Sequence, residues 1–218
     1  MFKVCIDPGH GGADRANRGP TGYIEADGNL KVAHFLKEEL ARTGAFYIML
    51  TRTGDSTVGL RERANRAADF GADLFLSVHS DACNGKARGP VAFYSVDLPG
   101  DAQLARNITA AIAKAFGTVD RGGRTRAADP ASPGQTGATK ANPEDYYAVI
   151  DQAQDRGIPH VVLVEMMFHD NPAEEVILKD DANLKKIAQI MAGCICKTFG
   201  VAYDAGHTLS HDILAISG

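Results

Sequence analysis

The sequence predicts one α/β domain, a mostly parallel twisted sheet with helices on both faces. Three observations carry that expectation. Short apolar runs alternate with helical periodicity at regular spacing, as βαβ units require. Glycine closes the first two helical patterns at Gly44 and Gly71. At 218 residues the chain is long enough for one sizeable core.

The elements follow in order. Residues 2–6 (FKVCI) fit a buried strand. Residues 27–43 place Leu30, Ala33, Leu36 and Leu40 at helical spacing, and 46–51 (FYIMLT) form a second strand. Residues 59–70 set Leu60, Ala64, Ala67 and Ala68 on one helical face, and 73–78 (DLFLSV) form a third strand. A strand over 91–95 precedes an amphipathic helix over 101–116, with Leu104, Ile108, Ile112 and Phe116 facing in. Residues 118–145 are rich in Gly, Pro, Asp, Thr and Ala and read as a long loop of functional interest. A short strand is expected near 146–150 and a strong one at 160–165 (HVVLVE). Helices are expected over 172–180 and 182–199, the first with Asn171 as N-cap and Pro172 at its first position. The expected domain covers 1–200, with 201–218 a tail or linker stub, and no internal repeat is present.

Composition excludes several classes. Hydrophobic residues make up 44% and charged residues 23%, which argues against whole-chain disorder. A net charge of −4 leaves no basic footprint for nucleic acid or an anionic membrane. No apolar stretch reaches the roughly 20 residues of a spanning helix, and MFKVCID does not read as a signal peptide. Cys5, Cys83, Cys194 and Cys196 show no CxxC spacing, so reduced thiols are expected. A monomer is expected.

Chemistry concentrates at strand ends. The first strand runs into His10, the third into His79 and the late strand into Glu165. In an open α/β sheet the crevice beyond the carboxyl ends of the strands binds ligands. Glu25 lies between the first strand and its helix and hangs over the same edge. Two histidines and a carboxylate suit a catalytic zinc with an open fourth position, and a second carboxylate suits proton transfer. Glu25 is the weakest candidate on this reasoning, because a loop glutamate is usually solvated. Cys83 is the rival, either as a ligand or as a nucleophile with His79 as its base. Asp7 reads as a brace for the His10 turn, and His169 as structural but within reach of the site. His34 and His160 read as surface or packing residues, and His207 and His211 as solvated. HExxH and GxSxG are absent.

The segments IDPGHGG, TGYIEADGNLKVAHFLKEEL, LTRTGD, LRERANRAADFGADLFLSVHSDA and VVLVEMMFHDNPAEEVIL resemble, in order, the amidase-3 family of zinc-dependent N-acetylmuramoyl-L-alanine amidases. The resemblance spans residues 4 to about 199. It implies that His10, Glu25 and His79 hold one Zn2+ and that Glu165 is the catalytic carboxylate. It implies hydrolysis of the amide between N-acetylmuramic acid and L-alanine of peptidoglycan, at the cell wall and outside the cytoplasm. Asp81 stands where the family often has Asn, and Met167-Phe168 where it often has Gly-Phe, which bears on substrate preference. Arg121, Arg124 and Arg126 are candidates to meet carboxylates of the peptide. The alternatives are a cell-wall cysteine peptidase using Cys83 and His79, and a non-catalytic cell-wall binding module.

Overall fold

The computed structural model describes residues 1–129 and 144–205. Among the described residues six strands form one sheet: β1 (Phe2–Pro8), β2 (Phe46–Leu50), β3 (Leu74–Asp81), β4 (Val91–Tyr94), β5 (Gly123–Arg124) and β6 (His160–Phe168). Their order is β2-β1-β3-β6-β4-β5. The β1/β2, β1/β3 and β3/β6 pairs are parallel, and β4 runs antiparallel to β6. The sheet is therefore mostly parallel, as expected.

The helices are α1 (Glu25–Ala41), α2 (Leu60–Phe70), α3 (Ala102–Phe116), α4 (Ala148–Gln154), α5 (Pro172–Leu178) and α6 (Asp181–Thr198). They sort to two faces because strand side chains alternate. Leu74, Leu76, Val78, Val162 and Val164 point to one face and meet Leu36 of α1, Ile108 of α3 and Met191 of α6. Phe75, Val161 and Leu163 point to the other and meet Ala64 of α2 and Ile150 of α4. Leu184, Ile187, Met191 and Ile195 of α6 are all essentially inaccessible. Each contributes about 1.5–3 kcal/mol relative to exposure.

The caps are legible. Gly71 ends α2 at φ 71°, a left-handed conformation that glycine adopts without strain. Asn171 caps α5, its side chain accepting from the Ala173 and Glu174 N–H groups, with Pro172 first in the helix.

Several boundaries differ from expectation. The strand expected near 146–150 is instead the start of α4, whose Val149, Ile150 and Ala153 face inward. Five apolar and aromatic residues are too short a window to separate the two periods, and burial under β6 selects the helix. The long loop carries the two-residue β5, which pairs with β4. Helix α1 begins at Glu25, so that carboxylate is helical rather than in a loop. Strands β3 and β6 run past His79 and Glu165, to Asp81 and Phe168. Val201 and Tyr203 still pack against the core, and Tyr203 Oη donates to Glu39 at 2.8 Å. His207 and His211 lie outside the described residues. No helix among the described residues is long and apolar enough to cross a membrane.

Candidate metal and catalytic site

The carboxyl ends of β1, β3 and β6 are adjacent because of the strand order, and a cavity of about 420 Å³ opens there. His10, Glu25, His79 and Glu165 all line it. One ligand atom from each of His10, Glu25 and His79 falls within 4.8 Å of the others. His10 Nε2 lies 3.3 Å from Glu25 Oε2, and His79 Nδ1 lies 3.0 Å from Glu25 Oε1. The two imidazole centres are 5.0 Å apart and nearly perpendicular. Two imidazoles and a buried carboxylate at this spacing fit a borderline divalent cation such as zinc.

The turn that carries His10 is held against conformational cost. His10 is at φ 59°, the sole non-glycine residue with positive φ among those described. That region is sterically poor for a residue with a Cβ. Its carbonyl accepts from Arg63 Nη2 at 2.9 Å, while Arg63 Nη1 donates to Pro8 O and to Asp7 Oδ1, each at 2.8 Å. Arg52 donates to the carbonyls of Pro8, Gly9 and Ala26. Two buried arginines therefore clamp the turn through its backbone. Asp7 does brace the turn, but through Arg63, and it also accepts from Thr51 and Ser77. Gly9 is required by proximity, since a Cβ there would overlap the His79 imidazole.

Hydrogen bonds aim the ligand atoms. His10 Nδ1 faces Asp14 Oδ2 at 2.8 Å, which leaves Nε2 directed at Glu25. Asn17 Nδ2 donates to Glu25 Oε2 at 2.8 Å, while Asn29 Nδ2 and the Ser80 N–H donate to Oε1. Burial raises the Glu25 pKa, but its bonds to His10 and His79 reverse this and hold it well below the usual carboxylate range. Burial lowers the His10 pKa, and Glu25 and then Asp14 override it, taking the group to about 9.

Glu165 is the opposite case. It is the register partner of His79 across β3/β6, and the register shifts just beyond, between His79 and Asp81. Irregular pairing next to a site re-aims side chains. Glu165 is 8% exposed, and its Oε2 is buried with no hydrogen-bond partner among the described residues. Burial raises its pKa well above the usual value, and the charges of Glu25 and Asp81 add to that. The two neighbouring carboxylates are thus shifted in opposite directions by their surroundings.

The rival residues fall elsewhere. Cys83 is exposed and does not line the cavity. His34 meets Thr53 O, and His160 pairs with Asp101 at 2.6 Å. His169 does line the cavity, but its Nδ1 is engaged with Ser80. Asp14, Asn17, Asn29, Arg52 and Arg63 were not singled out by sequence reasoning. The i, i+4 spacing of His10 and Asp14 was the one available signal.

Comparison with known proteins agrees with this arrangement. The N-acetylmuramoyl-L-alanine amidase profile, Amidase_3, matches residues 4–197. The chain is 36% identical over 127 residues to the N-acetylmuramoyl-L-alanine amidase LytC of Bacillus subtilis (strain 168), covering 57% of this chain and 25% of that protein. It is 30% identical over 189 residues to the probable cell wall amidase LytH of Staphylococcus aureus, covering 85% of this chain and 54% of that protein. The chain thus spans from a quarter to about half the length of these curated relatives. The catalytic domain of CwlV, an N-acetylmuramoyl-L-alanine amidase from Bacillus (Paenibacillus) polymyxa var. colistinus, superposes with a TM-score of 0.76 at 25% identity, covering 93% of this chain and all of that one. On this match over nearly the whole described fold, the chain belongs to the N-acetylmuramoyl-L-alanine amidase family, Amidase_3.

Proposed function

We propose that this chain hydrolyses the amide between N-acetylmuramic acid and L-alanine in peptidoglycan, outside the cytoplasm, with one Zn2+ held by His10, Glu25 and His79. The observation that carries the proposal is the convergence of those three ligand atoms within 4.8 Å in one cavity, beside Glu165, whose buried Oε2 has no hydrogen-bond partner among the described residues. The names of LytC, LytH and CwlV supply the substrate class.

Bound there, zinc would lower the pKa of a water from 15.7 to about 7 and polarise the scissile carbonyl. Glu165 supplies the proton path. Its carboxylate takes a proton from the attacking water and passes it to the departing alanine nitrogen. Burial first, and then the charges of Glu25 and Asp81, raise its pKa well above the usual carboxylate value, which makes it a stronger base than an exposed glutamate. Asn17, Asn29 and the Ser80 N–H hold both Glu25 oxygens in place beside the two imidazoles.

Glu165→Ala is expected to abolish release of L-alanine peptides from purified peptidoglycan while zinc still binds with unchanged stoichiometry. Unchanged turnover in that variant would remove Glu165 from the mechanism. A chelator is expected to abolish turnover and thiol alkylation to leave it intact. The reverse pattern would favour a cysteine peptidase.

A further inference from the structure

A second cluster stands at the rim of the cavity. The Arg126 guanidinium lies 3.4 Å from the centre of the Tyr146 ring and 5.6 Å from that of Tyr147. Its Nη1 donates to Tyr147 Oη at 3.4 Å. The backbone holds the same residues together: the Tyr146 N–H donates to Arg126 O at 2.8 Å, and Ala127 bridges Asp145 in antiparallel fashion. Tyr147 in turn packs on Phe93 at 4.7 Å and lines the cavity with His79 and Glu165. A cation is thereby fixed next to the cavity wall by two aromatic rings.

Among the described residues, no carboxylate forms an ion pair with Arg126. Among the described residues, the arginines in ion pairs are Arg15, Arg42, Arg63 and Arg66. Arg121, on the same rim, stacks over Phe168 at 5.1 Å but lies in the field of Asp81. Among the described residues, no lysine or arginine lines the cavity itself. The rim therefore supplies the fixed positive side chain that attracts a carboxylate a short distance from the reacting bond. The charge pattern fits a substrate that is neutral at its scissile amide and anionic further along.

We propose that Arg126, held by Tyr146 and Tyr147, is a specificity residue that binds a carboxylate on the peptide portion of the substrate, beyond the bond that is cut. The proposal rests on the amidase reading of the cavity, and it assigns acidic peptides as the preferred class. Arginine suits the role because its planar fork pairs with both carboxylate oxygens at once.

The test uses two synthetic muramoyl peptides that differ only in the residue after L-alanine, one with a free carboxylate there and one with the carboxamide. The wild-type chain is expected to favour the carboxylate by about tenfold or more in kcat/KM, expressed in KM. Arg126→Gln is expected to cleave the two peptides equally, and Arg126→Lys to keep part of the preference. Added salt is expected to narrow the wild-type preference, because the guanidinium is exposed. Equal cleavage by the wild type, or a preference that survives in Arg126→Gln, would overturn the proposal and leave the amidase reading standing. A loss of kcat in Arg126→Gln that is the same for both peptides would assign the arginine to packing and also overturn it. Failure of the wild type to cleave either peptide would overturn both readings.

Discussion

His79 and Glu165 are register partners on adjacent parallel strands, separated by 86 positions in sequence and joined by the β3/β6 pairing. One belongs to the set that suits a metal, and the other buries an oxygen, Oε2, that has no hydrogen-bond partner among the described residues. The distance between the proposed ligand and the proposed base is therefore fixed by strand pairing, the least compliant part of an α/β fold, rather than by loops.

Asp14 is expected to act through His10. Its carboxylate faces Nδ1 at 2.8 Å and so directs the opposite ring nitrogen toward Glu25. Asp14→Ala should weaken zinc affinity by about tenfold to a hundredfold, the usual effect of losing a ligand's hydrogen-bond partner. Chelator competition measures this directly. An affinity equal to wild type would show that the contact orients nothing.

Gly9→Ala tests the close approach of the first turn to His79. An added methyl would occupy the imidazole's place. Displacing the ring by about 1 Å should cost roughly a hundredfold in turnover. The backbone at Gly9 is not in the left-handed region, so the effect should appear in zinc affinity and rate. Retention of both would mean that the turn shifts freely.

Arg63→Ala should be strongly destabilising. Arg63 and Asp7 are both buried, and removing the guanidinium leaves the Asp7 charge without its cation and the Pro8 and His10 carbonyls without a donor. Breaking a buried pair from one side costs about 3–5 kcal/mol. Urea denaturation of the metal-free protein reads this out. A loss below about 1 kcal/mol would show that water replaces the guanidinium.

The His160–Asp101 pair predicts a pH dependence away from the site. The hydrogen bond to Asp101 raises the His160 pKa above its ordinary 6.5, against the opposing effect of burial. A raised folded-state pKa contributes stability that is fully present below about 6.5 and is lost as pH rises through the folded value. The melting-temperature advantage of the wild type over His160→Gln should therefore be greatest below about pH 6.5 and shrink as pH rises through the folded-state value. A difference that is constant across this range would assign the contact to packing alone.

Much of this was legible in the sequence. Leu36 and Leu40 of α1, or Leu184, Ile187 and Met191 of α6, announce a buried face by spacing alone, since periodicity is a local property of the chain. His10, His79 and Glu165 were legible because each follows an apolar run that must be a strand, and parallel strands bring their carboxyl ends to one edge. The five residues 146–150 failed for the same reason in reverse: α4 shows its period only over a longer window.

What tertiary structure alone decided are relationships between segments far apart in sequence. No local pattern distinguishes Arg63 from the solvent-facing arginines of α2, and its burial follows from α2 lying under the His10 turn. Glu25 became a buried acceptor from Asn17, Asn29 and the Ser80 N–H because α1 starts beside β3, and Glu165 Oε2 is buried with no hydrogen-bond partner among the described residues. Sequence periodicity sets which faces are apolar. The pairing order β1-β3-β6 sets which polar groups meet, because a charge buried between strands keeps only the partners that the neighbouring strands provide.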